Sequence, residues 1–179
     1  MTGRLPTGRY AIIGDLSAGK TLLMTAIAYH DHLKGIPIYS NYDLNFPHTR
    51  INKVEDLDKM HSGTLVMDEA WYTFDSRNFG TNKNKEGSYI FSKLAKRNMN
   101  AYLNMQSMDL IDGRYRDRMM AILIVETLKD KNDNPILMKV DTLKKDKWGV
   151  FSLSPSQILI EPSPVLGLYD TCEVIDSLI

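Results

Sequence analysis

"YAIIGDLSAGKTLLM", Tyr10–Met24, decides how the rest of the chain is read. The apolar run Tyr10–Ile13 has the length and character of a buried strand, and it stops at Gly14. From Thr21 to Leu33 the residues Leu22, Leu23, Ala26, Ile27 and Tyr29 recur at helical spacing, and Gly35 follows as a stop. Between strand and helix, Gly14, Gly19, Lys20 and Thr21 satisfy G-x-x-x-x-G-K-[ST] in the setting that gives this motif its meaning. Glycine lets the backbone curl round an anion. Gly14, Asp15, Leu16, Ser17, Ala18, Gly19, Lys20 and Thr21 are therefore expected to form a phosphate cradle, with the helix dipole behind it. Lys20 is expected on the β- and γ-phosphates and the Thr21 hydroxyl on Mg²⁺, which makes the expected ligand ATP with Mg²⁺.

Outward from this turn, "IPIYS" (Ile36–Ser40) reads as the next strand, and strand, helix, strand implies a parallel pair. "TLVMDEA" (Thr64–Ala70) and "AYLNMQS" (Ala101–Ser107) read as two more strands, with a helical pattern over Ser88–Asn98. This alternation predicts an α/β, three-layer P-loop NTPase fold. "MAILIVETLKD" and "NPILMKVDTLKK", joined around "KNDN", read as a β-hairpin over 119–145 added at the sheet edge. We expect a single domain over 1–179, with a core of about 9–126 and a C-terminal tail, 150–179, that packs back through Leu166, Leu168 and Tyr169.

The chain has 179 residues, of which 43% are hydrophobic, enough for one ordinary core. Lys plus Arg and Asp plus Glu number 22 each, so no overall positive field marks a nucleic-acid binder and any DNA contact must be local. The single cysteine, Cys172, cannot form an intramolecular disulfide and is expected to be a packed thiol in a reducing compartment. No signal-peptide pattern and no run near the ~20 apolar residues of a membrane span is present, which predicts a cytoplasmic protein.

Hydrolysis needs more than a phosphate cradle. Asp68 ends an apolar run, where a carboxylate can hold Mg²⁺ through its water shell; Glu69 follows and can polarise the attacking water. Tyr102, Asn104 and Gln106 share one face of their strand by period two. If that strand lies between the P-loop strand and the Asp68 strand, Gln106 ends beside the γ-phosphate.

"GDLSAGKT", "LVMDEAWYTFDSR", "YLNMQSMDLIDGRYRDR" and "LYDTCEVI" together resemble the zonula occludens toxin-like P-loop ATPases, a group allied to the FtsK/HerA motors and the virus genome-packaging ATPases. The resemblance spans roughly residues 9–126, with an echo at 168–175. It implies a RecA-like core of the additional-strand catalytic-glutamate type, acting as a homo-oligomeric ring, a hexamer, that moves double-stranded DNA or extrudes virions. Lys20 and Thr21 then match the Walker A pair, Asp68 and Glu69 the Walker B pair, and Gln106 the sensor glutamine. Arg116, ten positions later, matches an arginine that reaches into a neighbouring subunit's site, although Arg114, Arg118, Arg77 and Arg97 are further candidates. Toxin-like morphogenesis proteins continue into a membrane-spanning segment and an outer domain. This sequence carries neither, which shifts the expectation to a soluble packaging ATPase in the host cytoplasm or virion, docked on capsid or portal-region proteins.

A ring multiplies a few basic residues per subunit around its channel. Lys83 and Lys85, on the Gly- and Asn-rich stretch Arg77–Ser88, are candidate DNA contacts, the alternative being a solvated loop, and "KLAKRN" (Lys93–Asn98) is expected to be an exposed face or a subunit contact. A GTPase switch is disfavoured because Asp68 does not open a D-x-x-G, and a kinase because Glu69 beside the metal would waste nucleotide. The alternative from another class is a nucleotide-gated assembly protein.

Overall fold

The computed structural model describes residues 6–73, 92–94, 96–107, 116–171, 173 and 175. Strand β1 (Arg9–Ile13) runs into the phosphate loop and helix α1 (Lys20–His32); β2 (Ile38–Ser40), β3 (Thr49–Arg50) and β4 (Gly63–Met67) follow. A short helix α2 (Ala70–Thr73), β5 (Met99–Asn104), β6 (Ala121–Lys129) and β7 (Pro135–Lys145) come next, then two short strands, β8 (Phe151–Leu153) and β9 (Ile158–Ile160). The nine strands among the described residues join one sheet in the order β3-β2-β4-β5-β1-β6-β7-β8, with β9 also on β7. Pairing is parallel from β3 through β6 and antiparallel from β6 onward.

The two faces of this sheet explain the apolar runs. In β1, Tyr10 and Ile12 point to the face covered by α1, where they meet Leu22, Leu23, Met24, Ile27 and, from β5, Tyr102. Ala11 packs on the opposite face with Ala101, Leu103, Leu65, Met67, Leu57 and Leu94. Every residue of β4 and β5 is buried, as central parallel strands covered on both sides require. The arrangement is the expected three-layer α/β fold.

The hairpin forms with β6 and β7 antiparallel, and the tail then lays β8 and β9 along β7, so the sheet extends past the hairpin. β6 is also more central than its place in the sequence suggests, because it pairs parallel with β1 and lines the phosphate loop. Leu168 and Tyr169 pack on the α1 side of the core, whereas Leu166 stays exposed. Of the expected Ser88–Asn98 helix, residues 92–94 and 96 are helical; the remainder up to 91, together with Arg77, Lys83, Lys85, Arg114 and Cys172, lies outside the described residues. No helix among the described residues is long and apolar enough to cross a membrane.

Candidate functional site

Parallel pairing sends β1, β4 and β5 toward the same edge, and β5 sits between the other two. The polar residues that end these strands therefore converge. β1 gives way at Gly14 to a loop in which Ser17 (φ 61°) and Gly19 (φ 91°) take left-handed backbone conformations. At Gly14 a side chain would meet the Val125 carbonyl, and at Gly19 it would press on the Thr127 hydroxyl. Both glycines are thus required by the close approach of β6. Thr127 Oγ1 also donates to the Ala18 carbonyl at 2.7 Å, fastening the loop to the sheet. Lys20 Nζ folds back over the turn, donating to the carbonyls of Gly14 (3.0 Å) and Asp15 (2.9 Å).

Asp68, at the end of β4, is the hub. Its carboxylate accepts from the Thr21 hydroxyl at 2.7 Å, from the Glu69 amide at 2.8 Å and from the Asn104 side-chain amide. Its backbone is gripped on both sides by Asn41, which follows β2. Asn41 Nδ2 donates to the Asp68 carbonyl at 2.9 Å, and Asn41 Oδ1 accepts from the Asp68 amide at 2.7 Å. Thr21 and Asp68 offer two hard oxygen donors in contact at the helix N-terminus. This suits Mg²⁺, which takes one or two protein oxygens and completes its shell with phosphate and water. Among the described residues no group of three or more His, Cys, Asp and Glu side chains competes for a metal.

Glu69 turns out of the strand with φ 47° and lines a cavity of about 520 Å³ together with Lys20, Thr21, Leu22 and Asn104. Gln106, exposed two residues past β5, lines an adjoining recess with Gly14, Asp15, Leu16 and Lys20. The chain thus brings together Gly14, Lys20, Thr21, Asp68, Glu69 and Gln106. Tyr169 and Thr171 of the tail line the same cavity, and burial, first, and then the charge of Asp68 push the Tyr169 phenol pKa above its ordinary value.

Arg116 is placed elsewhere. It is exposed just before β6, whose first residue pairs with Tyr10 near the start of β1, while the phosphate loop leaves the other end of that strand. Five residues of strand, about 16 Å, separate the two rims, so Arg116 does not face its own subunit's phosphate loop. Arg9 and Arg118 share that rim, where Arg9 Nε donates to the Arg118 carbonyl at 2.9 Å. Burial and the neighbouring Arg118 hold the Arg9 pKa below its usual value. Arg97 is committed to structure: its guanidinium donates to the carbonyls of Leu57, Asp58 and Met60 and pairs with the Asp58 carboxylate at 2.8 Å. It is neither a free finger nor a free basic face.

Asn41 and Thr127 escaped the sequence reading. Asn41 carried a usable signal, since it is a polar residue just past the C-terminal end of a strand, as Gln106 is. Thr127 carried none, because its role depends on β6 pairing with β1.

A nine-stranded sheet with a phosphate loop after β1, a carboxylate ending β4 and β5 between them is the fold of P-loop NTPases. No family model matches the sequence, and no curated protein does. Among solved structures, the N-terminal domain of zonular occludens toxin from Neisseria meningitidis superposes with a TM-score of 0.63 at 16% identity, over 93% of this chain and 100% of that one. B204, the DNA-packaging ATPase of Sulfolobus turreted icosahedral virus, superposes at 0.54 with 13% identity, over 83% and 97%. The flagellar accessory protein FlaH from Methanocaldococcus jannaschii superposes at 0.51 with 10% identity, over 87% and 93%. The resemblance in the motifs is thus matched by one in the fold.

Proposed function

We propose that this chain is an Mg²⁺-dependent ATPase that assembles as a homo-oligomeric ring, a hexamer, and drives double-stranded DNA into a viral capsid. The observation that carries the reading is the hydrogen bond from Thr21 to Asp68, made where Lys20, Glu69 and Gln106 also converge. That set supplies what phosphoryl transfer to water requires: a cation on the phosphates, a metal anchor, a carboxylate to polarise water and an amide at the γ-phosphate. In such a ring Arg116, on the rim away from its own phosphate loop, would act on a neighbour's site rather than its own. The likeness to a packaging ATPase supports DNA as the cargo.

The test is ATP hydrolysis by the purified chain as a function of its concentration, with and without double-stranded DNA, at two salt concentrations. A rate per subunit that climbs with concentration, and climbs again with DNA at low salt, is the expected result. Hydrolysis indifferent to both would overturn the motor. It would favour a nucleotide-gated assembly protein, the reading that the fold shared with a zonular occludens toxin domain also supports.

A further inference from the structure

The cavity beside the phosphate loop extends well past the residues that phosphates and a metal would use. Beyond Lys20, Thr21 and Glu69 it is bounded on one side by Thr127, Lys129, Asp133 and Pro135 of the β6–β7 hairpin, and on the other by Tyr169 and Thr171 of the tail. At about 520 Å³ it lies within the ~300–1,000 Å³ of small-molecule sites. Leu22, the residue after the motif threonine, lines it too.

The tail is tied across this cavity. Val165 packs against the α1 side of the core, and the chain then forms a bridge between Tyr169 and Leu44. The Asn45 amide donates to the Leu168 carbonyl at 2.8 Å and the Asn45 side chain donates to the Gly167 carbonyl at 2.6 Å. Glu173 closes the tie: one carboxylate oxygen accepts from the Asp43 amide and the other from Arg50, each at 2.7 Å. Tyr169 lies edge-on to the buried Tyr42 ring at 6.4 Å between centroids, which fixes its orientation.

We propose that the tail and the hairpin turn form the nucleoside subsite of the ATP pocket, with the Tyr169 ring packing on the base and Glu173 acting as the positioning residue that holds the tail in place. This inference rests on the reading of the phosphate loop as an ATP site. A base offers an apolar face and a hydrogen-bonding edge. The cavity offers an aromatic ring on one wall and the Thr127 hydroxyl with the Lys129–Asp133 ion pair (3.0 Å) on the other. The echo "LYDTCEVI" thereby gains a role the catalytic set leaves open.

The test compares two probes on the full chain by titration calorimetry with Mg²⁺: a non-hydrolysable ATP analogue, which carries a base, and inorganic tripolyphosphate, which does not. Tyr169→Ala is expected to weaken the analogue about tenfold and leave tripolyphosphate unchanged. Glu173→Gln, a partly exposed change that tests the tie without emptying the core, is expected to weaken the analogue several-fold with the same selectivity. Thermal unfolding of the ligand-free variants reads folding separately, and if Tyr169→Ala does not fold, the Glu173→Gln result decides. Equal losses for both probes would place Tyr169 at the phosphate end and overturn the subsite. So would unchanged affinity for the analogue in both variants while tripolyphosphate still binds. If the unsubstituted chain binds neither probe, the ATP reading falls and the subsite falls with it.

Discussion

Asn41 offers the sharpest test of how the metal anchor is held. It is 3% exposed and makes two hydrogen bonds to the backbone of Asp68, at 2.9 and 2.7 Å. Asn41→Ala removes both and leaves a buried carbonyl and a buried amide unpaired. Each unpaired group costs about 1–3 kcal/mol, so we expect a loss of about 2–4 kcal/mol once partial rehydration is allowed for. For a chain of this length each kcal/mol moves Tm by ~2–4 °C, so unfolding should come roughly 4–16 °C earlier. The Asp68 carboxylate should also wander from Thr21 and weaken Mg²⁺-dependent nucleotide binding about tenfold. Asn41→Asp is expected to be worse at neutral pH, since it sets a buried charge against the Asp68 carbonyl. Burial would raise that new carboxyl's pKa above its ordinary ~3.9. Its penalty is therefore full above the raised value and shrinks as pH falls through it, where a protonated carboxyl can donate to the carbonyl. Calorimetric unfolding without nucleotide, followed by an Mg²⁺ titration with an ATP analogue, reads both effects. An Asn41→Ala chain that melts within about 1 °C of the original and binds Mg²⁺-nucleotide normally would refute the reasoning.

Three further outcomes follow from the same geometry. Glu69→Gln should keep nucleotide affinity within about twofold while hydrolysis falls by ~10²–10⁴, read by pairing a phosphate-release assay with a binding titration. Gly19→Ala should lose nucleotide binding and melt earlier by roughly 3–8 °C, because φ 91° strains any side chain and the new methyl presses on Thr127. Arg116→Ala should bind nucleotide normally yet hydrolyse ~10³-fold more slowly, and mixing it with inactive Lys20→Ala subunits should restore part of the rate. No recovery on mixing would count against a finger in trans.

The phosphate loop and the sheet around it were legible because their chemistry is local. Gly14, Gly19, Lys20 and Thr21 sit within eight residues, and the apolar runs of β1, β4 and β5 are what strands covered on both faces must be. The position of Gln106 in the recess beside Gly14 and Lys20 follows strand order. With β5 between β1 and β4, the chain leaving β5 carries this amide to the edge where the phosphate loop begins. The strand ends were less legible. Thr64–Ala70 reads as one run, but the strand stops at Met67, because Asp68 is drawn into bonds with Asn41, Asn104 and Thr21 and Glu69 then turns to positive φ.

What stayed hidden depends on pairs far apart in the chain. Asn41 and Asp68 are 27 positions apart, Ala18 and Thr127 109, and Arg50 and Glu173 123. Nothing in the local pattern of any of these residues names its partner. The tail shows the consequence most clearly. Its Pro- and Ser-containing sequence has little periodicity, and Tyr169 alone reads as one more core aromatic. Only when the bridge to Leu44 and the Glu173–Arg50 pair set it across the cavity does the same ring become a wall of the candidate ATP site. Arg97 runs the other way: a basic residue in a basic cluster reads as surface or partner contact until three backbone carbonyls are found in its fork. An arginine's role is set by what it meets: Arg116 lies on the rim away from its own phosphate loop, a rim it shares with Arg9 and Arg118, so from there it acts in hydrolysis only on a second subunit's site.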